Sequence, residues 1–149
     1  MMQEADYYTQ EDGKIKCLLC PHYCKLSSGQ TGLCQVRRAE DGKLWAASYA
    51  QVSAVALDPI EKKPLYEYHP HNQILSLGSI GCNLSCQFCQ NYRIAQELDV
   101  PTKELSPQEA VELAQEKGSF GIAYTYSEPL IWYEYVRDTA KLAQQQGLK

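Results

Sequence analysis

The run Ser79-Ile80-Gly81-Cys82-Asn83-Leu84-Ser85-Cys86-Gln87-Phe88-Cys89-Gln90-Asn91 carries three thiols spaced C-x3-C-x-Φ-C, where Φ is aromatic, directly after an apolar stretch. A cubane iron–sulfur cluster has four irons, and full ligation takes four thiolates. A loop with only three leaves one iron without a protein ligand. An open coordination position separates a catalytic metal from a structural one. Cys82, Cys86 and Cys89 are therefore candidate ligands of a [4Fe-4S] cluster that does chemistry.

Four further cysteines, Cys17, Cys20, Cys24 and Cys34, form a second group. The odd total of seven, the tight clustering and the lack of an export leader argue against a disulfide framework. Four thiolates fill a tetrahedral structural zinc site, and they equally fill a four-cysteine iron–sulfur cluster. Spacing alone does not separate the two. His22 lies inside this group and is a candidate to replace one thiolate, whereas His69 and His71 flank Pro70 in a turn-like stretch and read as solvated.

The elements that must position these thiols can be read along the 149 residues. Residues 1–72 read as a small cysteine-rich module with turn signals at Asp12-Gly13, Ser28-Gly29, Thr31-Gly32 and Asp41-Gly42. Short strands are expected at Leu44 to Tyr49 and Gln51 to Leu57. A unit with so thin an apolar core gains from a bound metal. The proline-bounded Asp58 to Leu65 segment reads as a linker. Residues 73–149 alternate in type, with a strand at Gln73 to Ile80, then the cysteine loop. Ser106, Pro107 and Glu109 open a helix as N-cap, first helical residue and capping box. Gly118 ends that helix, and a strand at Phe120 to Tyr126 follows. A second helix runs from Pro129 to Gln146, with Gly147 as its C-cap. This order is that of parallel α/β architecture. Two strands do not close such a sheet, so the chain is expected to be the N-terminal piece of a longer protein. Tyrosines of the second helix, Tyr133 and Tyr135, read as packing residues.

The totals exclude several classes. A hydrophobic fraction of 44% and a charged fraction of 21% are those of a soluble globular domain. Net charge is −4 without a basic stripe, so no nucleic-acid footprint is present. The N-terminus is polar and acidic, unlike a signal peptide, and no apolar run approaches the roughly 20 residues of a membrane helix. A cytoplasmic location is expected.

Four segments together resemble the radical S-adenosylmethionine (SAM) superfamily. They are Cys17-Leu18-Leu19-Cys20-Pro21-His22-Tyr23-Cys24, Leu57 to Leu65, Gly81 to Asn91, and Ala123-Tyr124-Thr125-Tyr126-Ser127-Glu128-Pro129. The resemblance is closest to the radical SAM enzymes of the AmmeMemoRadiSam system, relatives of pyruvate formate-lyase activating enzymes. It implies the start of a partial (β/α) barrel behind the cysteine-rich module. It also implies a [4Fe-4S] cluster on Cys82, Cys86 and Cys89, with SAM bound at the open iron. Reductive cleavage then yields a 5′-deoxyadenosyl radical that abstracts hydrogen from a substrate, a protein or peptide in the activating enzymes. A one-electron reductant such as flavodoxin or ferredoxin is the implied partner. Glu128 matches the glutamate of the family's Gly-Gly-Glu-Pro stretch and is the implied partner of the SAM ammonium group. Both glycines of that stretch are replaced here, by Tyr126 and Ser127. Two other classes fit the cysteine count: a two-cluster ferredoxin-type electron carrier, which lacks an eighth cysteine, and a zinc-stapled interaction module without catalysis.

Overall fold

Hairpins build the first part of the chain. In the computed structural model, which describes residues 2–149, the strands β1 (Gln3–Glu4), β2 (Tyr8–Glu11), β3 (Lys14–Cys17), β4 (Lys25–Leu26), β5 (Arg37–Glu40) and β6 (Lys43–Ala46) come first. They pair as two antiparallel sheets, in the orders β2-β3-β4 and β1-β6-β5. Asp12-Gly13 and Asp41-Gly42 turn the β2–β3 and β5–β6 hairpins with positive φ at both residues. That backbone suits the twist of two-residue hairpins and explains the choice of Asp-Gly. The two sheets enclose a small core of Ala5, Ile15, Cys17, Leu26, Ala39 and Leu44.

The second part comprises β7 (Gln51–Val52), β8 (Ala54–Pro59), β9 (Gln73–Gly78), α1 (Tyr92–Gln96), β10 (Lys103–Glu104), α2 (Pro107–Glu116), β11 (Ile122–Thr125) and α3 (Tyr133–Gln145). The expected parallel pair is present: β11 lies beside β9 with Ile122 opposite Leu75 and Thr125 opposite Gly78. The capping box is also present, with the Ser106 side chain accepting from the Glu109 amide and the Glu109 side chain accepting from the Ser106 amide. The second expected helix opens as a 3₁₀ turn at Pro129–Trp132 before α3 begins.

One strand differs from expectation. The sheet has a third member, β8, antiparallel on the other side of β9. It ends in the segment read as a linker, and the connection 60–72 holds the boundary expected at residue 72. Across that connection β8 and β9 are hydrogen-bonded partners.

Register divides this sheet into two unlike faces. Leu75, Leu77, Ile122 and Tyr124 share one face and pack on Ala110, Val111 and Ala114 of α2 and on Tyr135 and Ala143 of α3. The same core takes in Ala46, Tyr49 and Ala50 from the first part of the chain and Val52 of β7. The opposite face carries Ala54, Ala56 and Asp58 beside Ser76, Gly78, Ala123 and Thr125. Helices cover the apolar face, and the small polar face is left for other partners. No helix among the described residues is long and apolar enough to cross a membrane.

A buried ion pair joins the two parts. Arg37, at the start of β5, donates from Nη1 to Glu134 Oε1 at 2.9 Å and from Nη2 to Oε2 at 2.6 Å. Both residues are only 1% exposed. Glu134 Oε1 also accepts from the Asp6 amide at 3.0 Å, and Arg37 Nη2 reaches the Ile131 carbonyl at 3.4 Å. Removing one member of such a pair leaves an uncompensated buried charge. Glu134→Gln is expected to lower stability by about 3–5 kcal/mol in urea denaturation, far more than a surface ion pair costs.

Candidate functional site

The cysteine loop leaves the C-terminal end of β9, and the Glu128 turn leaves the same end of β11. Parallel register makes them neighbours. In parallel α/β sheets this is the end at which sites form. The starts of both loops are tied together by Ser79 Oγ and Ser127 Oγ, 2.6 Å apart. Ser53 Oγ donates to the Ser79 carbonyl at 2.8 Å and holds the exit of β9 from the other side.

Within the loop, Cys82 is buried, Cys89 half-buried and Cys86 exposed. The Leu84 amide donates to Cys82 Sγ at 3.4 Å, and the Cys89 amide donates to the Cys86 carbonyl at 3.2 Å. Helix α1 closes the loop: the Gly81 amide donates to the Ile94 carbonyl at 2.8 Å, and Gln96 Nε2 donates to the Leu84 carbonyl at 2.7 Å. Phe88, the aromatic before the last cysteine, is 92% exposed.

The loop rests on the first cysteine group. Gly81 has φ +78°, and a Cβ there would stand 2.5 Å from the Cys34 carbonyl oxygen and 2.7 Å from Val36 Cγ1. Only glycine meets both demands. His22 Nε2 lies 2.7 Å from the Asn83 carbonyl, so this nitrogen carries the proton and donates. Gly81→Ala is expected to cost on the order of 1–3 kcal/mol for the backbone alone, with the clash added. Exchange of the Gly81–Cys89 amides, read by hydrogen–deuterium mass spectrometry, should rise more than exchange in α2.

Cys17, Cys20, Cys24 and Cys34 gather around one small cavity, with His22, Arg37 and Ile131 also on its wall. Cys17 ends β3, and its amide donates to the Cys24 carbonyl at 3.0 Å, closing the turn that carries Cys20. Burial pushes the thiols of Cys17 and Cys34 up from their ordinary range. Among the described residues, no three His, Cys, Asp or Glu side chains already stand as a metal cage.

Glu128 Oε1 accepts from the Leu130 amide at 3.0 Å, capping the 3₁₀ turn. The second carboxylate oxygen has no such role in the cap. Two residues earlier, Tyr126 adopts φ +71°. A tyrosine in this region is strained, whereas glycine enters it freely. The missing glycine has thus not removed the left-handed backbone at this strand end. Gly78 makes room for the tyrosine, because a Cβ on it would lie 2.8 Å from Tyr126 Cδ2.

The residue that sequence reading passed over is Asp58. It is 4% exposed on the small polar face, where Lys62 and Lys63 each donate to its carboxylate at 2.8 Å. Ser76 Oγ donates at 2.9 Å, and the Tyr126 hydroxyl reaches it at 3.4 Å. A cleft of about 630 Å³ opens here, lined by Asp58, Lys63, Gln90, Asn91, Thr125 and Tyr126. Gln90 and Asn91 directly follow Cys89, so this cleft adjoins the cysteine loop. The available signal was the alternation Ala54, Ala56, Asp58, which puts a carboxylate on a face of small residues.

Hydrogen bonds from Lys62, then Lys63 and Ser76, hold the Asp58 carboxyl well below its ordinary value against the opposing effect of burial. A depressed folded-state value stabilises the fold above the unfolded value, near 3.9, and this contribution fades as pH falls below it. Asp58→Asn should therefore lower the urea midpoint at pH 7. The difference from the parent should shrink as pH drops below about 4.

Residues 77–149 match the family model of the Radical SAM superfamily. Over 150 residues, 99% of its length, the chain is 41% identical to an uncharacterized protein of Methanocaldococcus jannaschii. The chain spans 45% of that relative. No solved structure matches it.

Proposed function

We propose that this protein is a radical SAM enzyme whose [4Fe-4S] cluster is held by Cys82, Cys86 and Cys89. The observation that carries the reading is the Ser79–Ser127 contact, which sets the three-cysteine loop beside the Glu128 turn at one end of two parallel strands. When bound, cluster and SAM together supply a 5′-deoxyadenosyl radical able to abstract hydrogen. The chain's own residues do the rest. The Leu84 amide directs a donor at the Cys82 sulfur. Glu128 keeps one carboxylate oxygen for an ammonium group while the other caps the 3₁₀ turn. The adjoining cleft beneath Tyr126 offers a shielded place for substrate. A protein or peptide substrate, an activating-enzyme type of reaction and reduction by flavodoxin or ferredoxin rest on the family resemblance. The ferredoxin-type alternative needs a fourth thiolate for this loop, and the four remaining cysteines surround a cavity of their own.

Glu128→Gln preserves an oxygen for the cap and removes the charge. A charge-assisted hydrogen bond contributes about 1.5–3 kcal/mol, so SAM affinity should fall about ten- to a hundredfold. Iron content should stay unchanged. Both are measured on the anaerobically reconstituted full-length protein, affinity from the SAM-induced change in the reduced cluster's spin-resonance spectrum. Cys82→Ala, Cys86→Ala and Cys89→Ala should each abolish the four-iron cluster. Full cluster retention in every single variant would sink the reading, and unchanged SAM affinity in Glu128→Gln would leave that residue as a helix cap only.

A further inference from the structure

Four thiols, one guanidinium and almost no free volume meet where β3, β5 and the 3₁₀ turn before α3 come together. We propose that Cys17, Cys20, Cys24 and Cys34 hold a single tetrahedral divalent ion of the zinc type, with Arg37 as the charge partner of its thiolates. This proposal does not rest on the radical SAM reading of the other three cysteines.

All four cysteines line one cavity, with Arg37 on the same wall. Arg37 adds a second, independent sign. Its two Nη atoms are committed to Glu134 and Ile131, whereas its buried Nε has no partner. Arg37 lies on the wall of the thiol cavity. A buried N–H left unpaired beside sulfur acceptors calls for a metal-bound thiolate.

Size decides between one ion and a cluster. The cavity is about 10 Å³, the room of one water molecule. Four thiolates around so small a space match the coordination number of one tetrahedral ion. Cys20 and Cys24 are half-exposed, so rotation about χ1 is open to them and completes the ligand set. Binding releases four thiol protons to solvent and leaves the four-thiolate site with a net charge of two minus. Arg37 offsets part of that charge, and Glu134 holds the guanidinium in place.

The ion would also set the loop that carries Cys82, Cys86 and Cys89. The Cys34 carbonyl stands where a Cβ on Gly81 would lie, and His22, between Cys20 and Cys24, donates to the Asn83 carbonyl.

The test uses the whole protein with Cys82, Cys86 and Cys89 all changed to alanine, so the radical reading cannot affect the result. Cobalt(II) is titrated anaerobically into metal-stripped protein. One equivalent should bind with the intense visible bands of tetrahedral cobalt thiolate. Cys20→Ser and Cys24→Ser, at half-exposed positions, should shift those bands and weaken binding. Replacing the pair together, Arg37→Met with Glu134→Met, avoids a lone buried charge. Cobalt affinity should then fall about ten- to a hundredfold with the band positions kept. Absence of stoichiometric uptake, or an octahedral spectrum, overturns the site. Assembly of a four-iron cluster by the triple variant during iron–sulfide reconstitution overturns the single ion. Unchanged affinity in the Arg37/Glu134 variant overturns the role of Arg37.

Discussion

The Arg37–Glu134 pair is the constraint on which the rest of this structure depends. It joins β5, from the hairpin part, to α3, from the helical layer, through two charge-assisted hydrogen bonds. Taking two charges out of water costs several kcal/mol per ion and is offset only when geometry is good and the remaining polar atoms are satisfied. Here the Asp6 amide and the Ile131 carbonyl supply those contacts. Hydrophobic contact alone would let α3 slide against the small sheets. A bidentate pair fixes both distance and rotation. The 3₁₀ turn that begins at Glu128 is thereby held at a set position relative to the first cysteine group.

The two-faced sheet is the second organising feature. A parallel pair wants cover on both faces. Here α2 and α3 cover one face with ordinary aliphatic packing, while the other presents Ala54, Ala56, Ser76, Ala123 and Thr125. Small side chains leave volume, and Asp58 gives that volume a charge. The carboxylate is neutralised by lysines that follow it within five residues, so the polar face comes with its own counter-ions. Tyr126 spans from the strand end down to this cluster, and its unfavourable backbone is held by that reach.

What could be read from the sequence was what is local. The Ser106-Pro107-Glu109 start of α2 closes within four residues, and Asp12-Gly13 and Asp41-Gly42 carry their turn in two. The β-loop-α-β-α order also placed Glu128 at the strand end next to the cysteine loop. The unread parts depend on distant partners. Arg37 and Glu134 are 97 positions apart, and Asp58 meets Tyr126 across 68. The Leu44 to Tyr49 strand stops at Ala46, whose carbonyl accepts the Tyr49 amide at 3.2 Å and closes a turn. The helix expected from Pro129 starts as a tighter turn because the Glu128 carboxylate takes the Leu130 amide and Trp132 is buried behind it. Asp58 to Leu65 reads as a linker by composition, yet its first two residues complete a strand.

The contact between Gly81 and the Cys34 carbonyl is made by main-chain atoms on both sides. A side-chain change at the Cys34 position therefore leaves it intact. A single carbon added at Gly81 is enough to break it. Two sets of thiols separated by nearly fifty residues can thus diverge in their surroundings while keeping their spatial relation, provided one glycine is retained.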